Sequence, residues 1–303
     1  MQQFLTGHRL RAPRAMPASR SARDALTRLL ADPRFEVLPA DGAADLVAQH
    51  LPPGRTVTVT ASPTRGLEAT LVLAEQLQAL GHHAVPHLAA RMVADSAELA
   101  EIVARLRSAG VDGVFIPSGD AAQAGAYPDA FSMLHALDDL GRPFRSVGIT
   151  AYPESHPTIP DDMTIQAMWD KREHATEMVS NMTFDPQIVQ TWLTRVRGRG
   201  VTLPLWLGLP GPVSTTRLLG VASRIGVGDS TRFLAKHPRA VARLLRPDGF
   251  SSDSFLRHLG PTLALETSRV VGLHVFTFNQ VAEAEAWRTD LMDRIQQSRG
   301  PAP

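Results

Sequence analysis

Short apolar runs alternate along this chain with longer stretches in which apolar residues recur every three or four positions. The short runs fall at Phe35–Leu38, Thr56–Ala61, His83–Leu88, Gly113–Pro117, Phe144–Thr150, Met178–Met182, Leu203–Gly208 and Gly272–Thr277, and they read as buried strands. Helical spacing runs through Gly66–Leu80, Ser96–Ala109, Ala130–Leu140, Thr164–Thr176 and Pro186–Arg195. In the second of these, Leu99, Ile102, Val103 and Leu106 share one face, which should bury against strands. Gly81, Gly110 and Gly141 stand where helices should end, each able to take the left-handed cap conformation. Eight strands with helical crossovers predict an α/β fold, a single (βα)8 TIM barrel. An open doubly wound sheet is the alternative. No glycine-rich dinucleotide fingerprint follows the first strand, which counts against a Rossmann domain, and no phosphate-binding P-loop is present.

The stretch from Leu209 to Val271 is too long for one crossover. It predicts extra helices between strands 7 and 8, at Thr215–Ile225, Ser230–Leu234, Pro238–Leu245 and Ser252–Glu266. The opening thirty residues differ again: Arg9, Arg11, Arg14, Arg20, Arg23 and Arg28 face a single acid, Asp24. An Arg-rich, acid-poor leader can be a transit peptide. It lacks a secretory apolar core, however, and Ser21–Leu30 reads as a short amphipathic helix. The expected division is a helical extension over residues 1–32 covering one end of the domain, a barrel over 33–298, and a tail over 299–303.

With 303 residues, 44% apolar and 20% charged, the chain can bury a large core. Its formal net charge of +1 gives no reason to expect a nucleic-acid partner, and no run approaches the ~20 apolar residues of a membrane span. The absence of cysteine excludes disulfides, thiolate metal sites and Cys nucleophiles, and it suits a cytoplasmic protein.

In α/β barrels, ligands are held beyond the carboxyl ends of the strands. Those ends carry Glu36, Thr60, His87, Asp120, then Tyr152, Glu154 and His156, then Asn181. The densest cluster, Tyr152-Pro153-Glu154-Ser155-His156-Pro157, holds a phenol, a carboxylate and an imidazole within five residues. It is either a ligand loop or a rigid Pro-bounded loop facing water. Thr60 can satisfy a backbone group, His87 can be a core histidine, and Asp120 can be a helix N-cap. Glu36 lies inside an apolar strand, where an unpaired carboxylate costs several kcal/mol in order of magnitude. Burial there would raise its pKa and let it serve as a general acid near neutrality. A structural salt bridge to an arginine is the alternative. A metal site is poorly supported, because adjacent His82 and His83 point to opposite faces of a strand and His87 and His156 lack close companions. No Gly-x-Ser-x-Gly elbow appears.

Read in order, these motifs resemble the methylenetetrahydrofolate reductase family, from Arg34 to about Trp287. Phe35-Glu36-Val37-Leu38-Pro39 resembles the family's Phe-Glu-Phe-Phe-Pro opening. Pro86-His87-Leu88, Gly119-Asp120 and the Tyr152–Pro157 segment match motifs after strands 3, 4 and 5, the last being the most specific. Phe184-Asp185 closes the sixth-strand motif, Leu209-Pro210-Gly211-Pro212-Val213-Ser214 looks like a modified seventh-strand loop, and His274-Val275-Phe276-Thr277-Phe278-Asn279 resembles the family's His-Phe-Tyr-Thr-Leu-Asn.

The resemblance implies a flavin-bearing (βα)8 barrel that reduces methylenetetrahydrofolate with NADH or NADPH. It implies Glu36 as catalytic acid and Asp120 as stabiliser of a cationic intermediate. It further implies FAD held by Thr60, His87, Ser118, Gly119, Asp120, Tyr152, His156 and Lys171, and folate held by Glu36, Asn181, Thr216 and Asn279. Four positions depart from or loosely fit the pattern. Ser118 stands where the family has a flavin-holding Arg, Asn181 where it has Gln, and Thr216 where it has an aromatic residue; Lys171 aligns loosely with the family's phosphate-side Lys. Losing the Arg removes a charge-assisted bond worth roughly a few kcal/mol at most. Three readings follow. They are the flavin-dependent reductase, a flavin-independent or oxidative-direction one-carbon folate oxidoreductase, and a non-catalytic folate- or flavin-binding paralogue. The partner implied is a small-molecule folate; the oligomeric state is open, a homo-oligomer included.

Overall fold

A computed structural model describes residues 19–62, 64–156, 158–212 and 251–298. Eight parallel strands form one sheet: β1 (Arg34–Val37), β2 (Thr56–Val59), β3 (His83–Pro86), β4 (Gly113–Phe115), β5 (Ser146–Ala151), β6 (Glu177–Ser180), β7 (Leu205–Pro210) and β8 (Val270–Phe276). Their order is β3-β2-β1-β8-β7-β6-β5-β4. The two ends meet through a parallel bridge between His87 and Phe115 and through amide bonds from Leu88 to Phe115, Ala90 to Pro117 and Arg91 to Ser118. The sheet is thus a closed (βα)8 barrel, and the doubly wound alternative is excluded.

The described helices are α1 (Arg20–Ala31), α2 (Ala43–His50), α3 (Gly66–Ala79), α4 (Ser96–Ser108), α5 (Ala130–Asp139), α6 (Asp161–Lys171), α7 (Pro186–Gly198), α8 (Ser252–Leu263) and α9 (Val281–Gln297). Local chemistry explains their ends. Asp95, Asp129, Asp185 and Ser251 cap α4, α5, α7 and α8 through their side chains, and Pro186 occupies the first position of α7. Helix α6 begins three residues before the periodicity predicts, just after Pro160, with Asp161 and Asp162 placed favourably in its first turn. Gly81, Gly110 and Gly141 follow α3, α4 and α5 at φ of 84°, 83° and 80°, as expected of helix caps. Leu99, Ile102, Val103 and Leu106 form the buried face of α4.

Helix α1 buries Ala22, Ala25, Leu26, Leu29 and Leu30 and packs against α8, α9 and β8. Helix α8 is the described member of the predicted extra helices; Thr215–Ile225, Ser230–Leu234 and Pro238–Leu245 lie outside the described residues, as does residue 299 onward. No helix among the described residues is long and apolar enough to cross a membrane.

Inside the barrel, Val85, Phe115 and Val179 pack with Trp206. Beside them the Arg34 guanidinium grips both carboxylate oxygens of Glu177 and lies over the Trp206 ring, whose Nε1 donates to Glu177 Oε2 at 2.9 Å. Gly148 and Gly272 make room for this group, since a Cβ at Gly272 would overlap the Trp206 indole.

Candidate active site at the barrel mouth

Alternation along β1 sends Arg34 and Glu36 inward while Phe35 and Val37 join the outer core. The sequence places two charges on the same inner face of one strand. They do not pair with each other's neighbours: Arg34 goes to Glu177, and Glu36 meets two imidazoles. His274 Nε2 on β8 lies 3.0 Å from Glu36 Oε2, and His87 Nε2, just past β3, lies 3.8 Å from the same oxygen. The alternative of an arginine partner for Glu36 is therefore overturned. Thr277 fixes the backbone here, its hydroxyl donating to the Glu36 carbonyl at 2.6 Å.

Burial dominates the electrostatics. It raises the Glu36 pKa to about 7, opposed by His87. Burial likewise lowers His87 to about 4 and His274 to about 3. Around neutral pH both imidazoles are uncharged, and Glu36 is divided between acid and carboxylate. His87 also stacks against Phe115, ring centroids 4.6 Å apart.

A second group gathers at β4 and β5. Tyr152 is half-buried, and desolvation raises its pKa; a bond with Thr150 opposes this and the charge of Asp120 adds to it. Its ring meets that of His156 edge-on at 4.9 Å. His156 Nδ1 accepts the backbone N–H groups of Thr158 and Ile159, so the loop itself orients the imidazole. Asp120 caps no helix, because Asp129 does that for α5. Ser118 Oγ accepts the N–H of Ala130 at 3.2 Å, and Gly119, at φ 84°, presses so closely on Ala89 that a Cβ would not fit. Lys171, at the end of α6, is 9% exposed; burial lowers its pKa, while Asp129 and Asp170 raise it.

The remaining positions divide. Asn181 Oδ1 accepts the N–H of Met182 at the end of β6. Asn279 engages both ends of its amide with the Leu38 backbone, tying the β8 loop to β1, so its amide serves the fold. Thr216 lies outside the described residues. Thr60 satisfies no backbone group with its hydroxyl, contrary to that alternative; Thr60 Oγ1 and His87 Nε2 are both buried without a hydrogen-bond partner. Those two orphaned atoms, with a buried lysine that has no carboxylate in ion-pair range among the described residues, fit a bound group carrying hydrogen-bonding atoms and an anion, as a flavin does. His274 is the site residue that reading by strand ends passes over. Its signal was a histidine in an otherwise apolar strand, the same oddity that singles out Glu36.

No group of three or more His, Asp or Glu side chains among the described residues is arranged to hold a metal ion. Fold and site together define a (βα)8-barrel protein with a buried acid held at the mouth. A family model for methylenetetrahydrofolate reductase matches residues 42–223, and the chain belongs to that family. The match starts after β1 and ends before β8, so it does not itself cover Glu36 or His274. Among solved structures, the chain is similar to oxaloacetate acetylhydrolase in complex with the inhibitor 3,3-difluorooxalacetate, at 14% identity, 83% of this chain, 97% of that one and a TM-score of 0.41. It is similar also to a putative phosphonomutase from Burkholderia cenocepacia J2315, at 11% identity, 90% of this chain, 97% of that one and a TM-score of 0.48. Neither likeness bears on activity.

Proposed function

We propose that this protein reduces 5,10-methylenetetrahydrofolate to 5-methyltetrahydrofolate, with NADH or NADPH as donor and FAD as the carrier of hydride. The observation that carries this reading is the Glu36 carboxyl, set among apolar strands and 3.0 and 3.8 Å from two neutral imidazoles, its side chain only 13% exposed and its pKa raised by desolvation to about 7. A binding module has no use for such a group, whereas opening the folate imidazolidine ring needs a proton at a departing nitrogen.

Flavin, when bound, supplies the hydride chemistry. Glu36 donates its proton to the nitrogen released as the ring opens. Asp120 stabilises the resulting substrate iminium by charge. Asn181 hydrogen-bonds the pterin, while Thr60, His87, Tyr152, His156 and Lys171 hold the cofactor. Lys171 offers a desolvated cation to the phosphates, and Thr60 and His87 offer the orphaned polar atoms. Ser118 favours a second reading, direct hydride transfer from nicotinamide to folate without flavin, because its hydroxyl is occupied by Ala130 and supplies no charge.

Two measurements test this. The purified protein should carry a flavin absorption spectrum that is released on denaturation; a colourless protein that still reduces the folate selects the second reading. In rapid mixing, Glu36→Gln should abolish folate reduction while nicotinamide-to-flavin transfer persists. Equal loss of both half-reactions refutes Glu36 as the acid.

A further inference from the structure

Glu36 needs more than a raised pKa to act as an acid: its proton must sit on the oxygen that meets the substrate. Oε2 faces His274 Nε2 at 3.0 Å. Oε1 has no hydrogen-bond partner among the described residues, and the side chain keeps 13% of its surface open. The other ring nitrogen of His274, Nδ1, is buried without a partner. A proton on Nδ1 would orphan a buried donor and turn a bare Nε2 toward a carboxyl oxygen. The stable tautomer therefore carries its proton on Nε2 and donates to Glu36 Oε2. That bond makes Oε2 the acceptor oxygen of the neutral acid and leaves the acidic proton on Oε1.

We infer that His274 is the positioning residue of the acid: its Nε2–H holds Oε2 of Glu36, so that Oε1 is the oxygen that delivers the proton. The inference rests on the reading of Glu36 as the acid and adds the group that orients it. The same N–H persists after transfer and stabilises the carboxylate, so His274 serves both ends of the step without changing its own charge. The other groups around Glu36 cannot substitute. His87 stands 3.8 Å away, beyond hydrogen-bond distance, and neither Thr58 on β2, opposite Glu36, nor Thr60 just past that strand has a hydrogen-bond partner for its hydroxyl. Deeper in the barrel, the charges of Arg34 and Glu177 are spent on each other and on Trp206.

The test compares His274→Gln with His274→Phe in the full-length protein, with Glu36→Gln as control. The Phe variant should lose folate turnover by about 100-fold, the scale of a misplaced catalytic group, with the KM for folate little changed. The Gln variant, whose side-chain amide can donate to Oε2, should recover part of that loss. Carboxyl titration by NMR of protein labelled with 13C-glutamate, without substrate, gives a direct readout. The resonance absent from Glu36→Gln should titrate at higher pH in the Phe variant, because an N–H that favours the carboxylate is gone. A Phe variant with wild-type kcat, or an unmoved Glu36 titration in both variants, overturns the inference. If Phe prevents folding, the Gln and control titrations decide it. Full activity in Glu36→Gln would instead sink the acid assignment itself, leaving the two failures distinct.

Discussion

Glu154 Oε1 accepts the backbone N–H of Asp185 at 2.7 Å, and the same oxygen accepts the N–H of Phe184. The carboxylate in the most specific motif of the chain thus joins the loop after β5 to the start of α7. Of the phenol, carboxylate and imidazole in Tyr152–His156, the carboxylate binds the fold together, while the two rings meet edge-on and the Asp120 charge acts on Tyr152. Replacing Glu154 with Ala strands two amides and should cost about 1–3 kcal/mol, lowering the melting temperature by several degrees in a thermal scan. An unchanged melting curve would show that these bonds add nothing net.

Arg34 on β1 and Glu177 on β6 form a buried pair, their side chains 9% and 11% exposed. Glu177→Gln leaves a buried guanidinium without its counter-charge and should destabilise by about 3–5 kcal/mol in urea unfolding. The double change Arg34→Met with Glu177→Leu should be milder than the single. A double change as damaging as the single would mean that packing, not charge, sets the cost.

Gly272 exists to admit the Trp206 indole, because any Cβ there overlaps the ring. Gly272→Ala should displace the indole, weaken its bond to Glu177, and cost about 1–3 kcal/mol through overpacking. Tryptophan fluorescence should shift with the loss of stability; a wild-type spectrum would argue against displacement.

The acid cluster makes stability depend on pH in two opposing ways. His87 and His274 titrate near 4 and 3 in the fold, against 6.5 ordinarily. Their contribution is complete above pH 6.5 and is lost as pH falls toward those values. Glu36 titrates near 7 against 4.5. Its contribution is present below pH 4.5 and is lost as pH rises through 7. Between pH 4.5 and 6.5 two groups oppose one. Glu36→Gln should therefore make stability rise more steeply with pH in that window, by up to about 1.4 kcal/mol per pH unit. Parallel wild-type and variant curves would show that Glu36 titrates normally.

Much of this architecture was legible in the residues because strand and helix periods differ, and all eight apolar runs became strands. Boundaries slipped where side chains intervene. The fifth strand starts at Ser146 because the N–H groups of Arg145 and Ser146 both turn to the Asp112 carbonyl, and the sixth stops at Ser180 because Asn181 caps Met182 with its own side chain. Helices α2 and α9 have no counterpart among the predicted stretches of helical spacing; α2 is only eight residues long with two buried positions. At the site, Glu36 announced itself as a charge in an apolar strand. Its true neighbours did not. The partner of Arg34 lies 143 residues away and that of Glu36 lies 238 away, and only closure of the barrel sets which face which.

The closure between β3 and β4 is lopsided. Its amide bonds run from Leu88, Ala90 and Arg91, all beyond the end of β3, and the lower halves of the two strands share none. His87 bridges that join and also flanks the acid. Heat should part the staves there first, rewetting the carboxyl and sharpening its acidity long before the hoop as a whole gives way. Catalysis would then fade while circular dichroism still reports an intact cask.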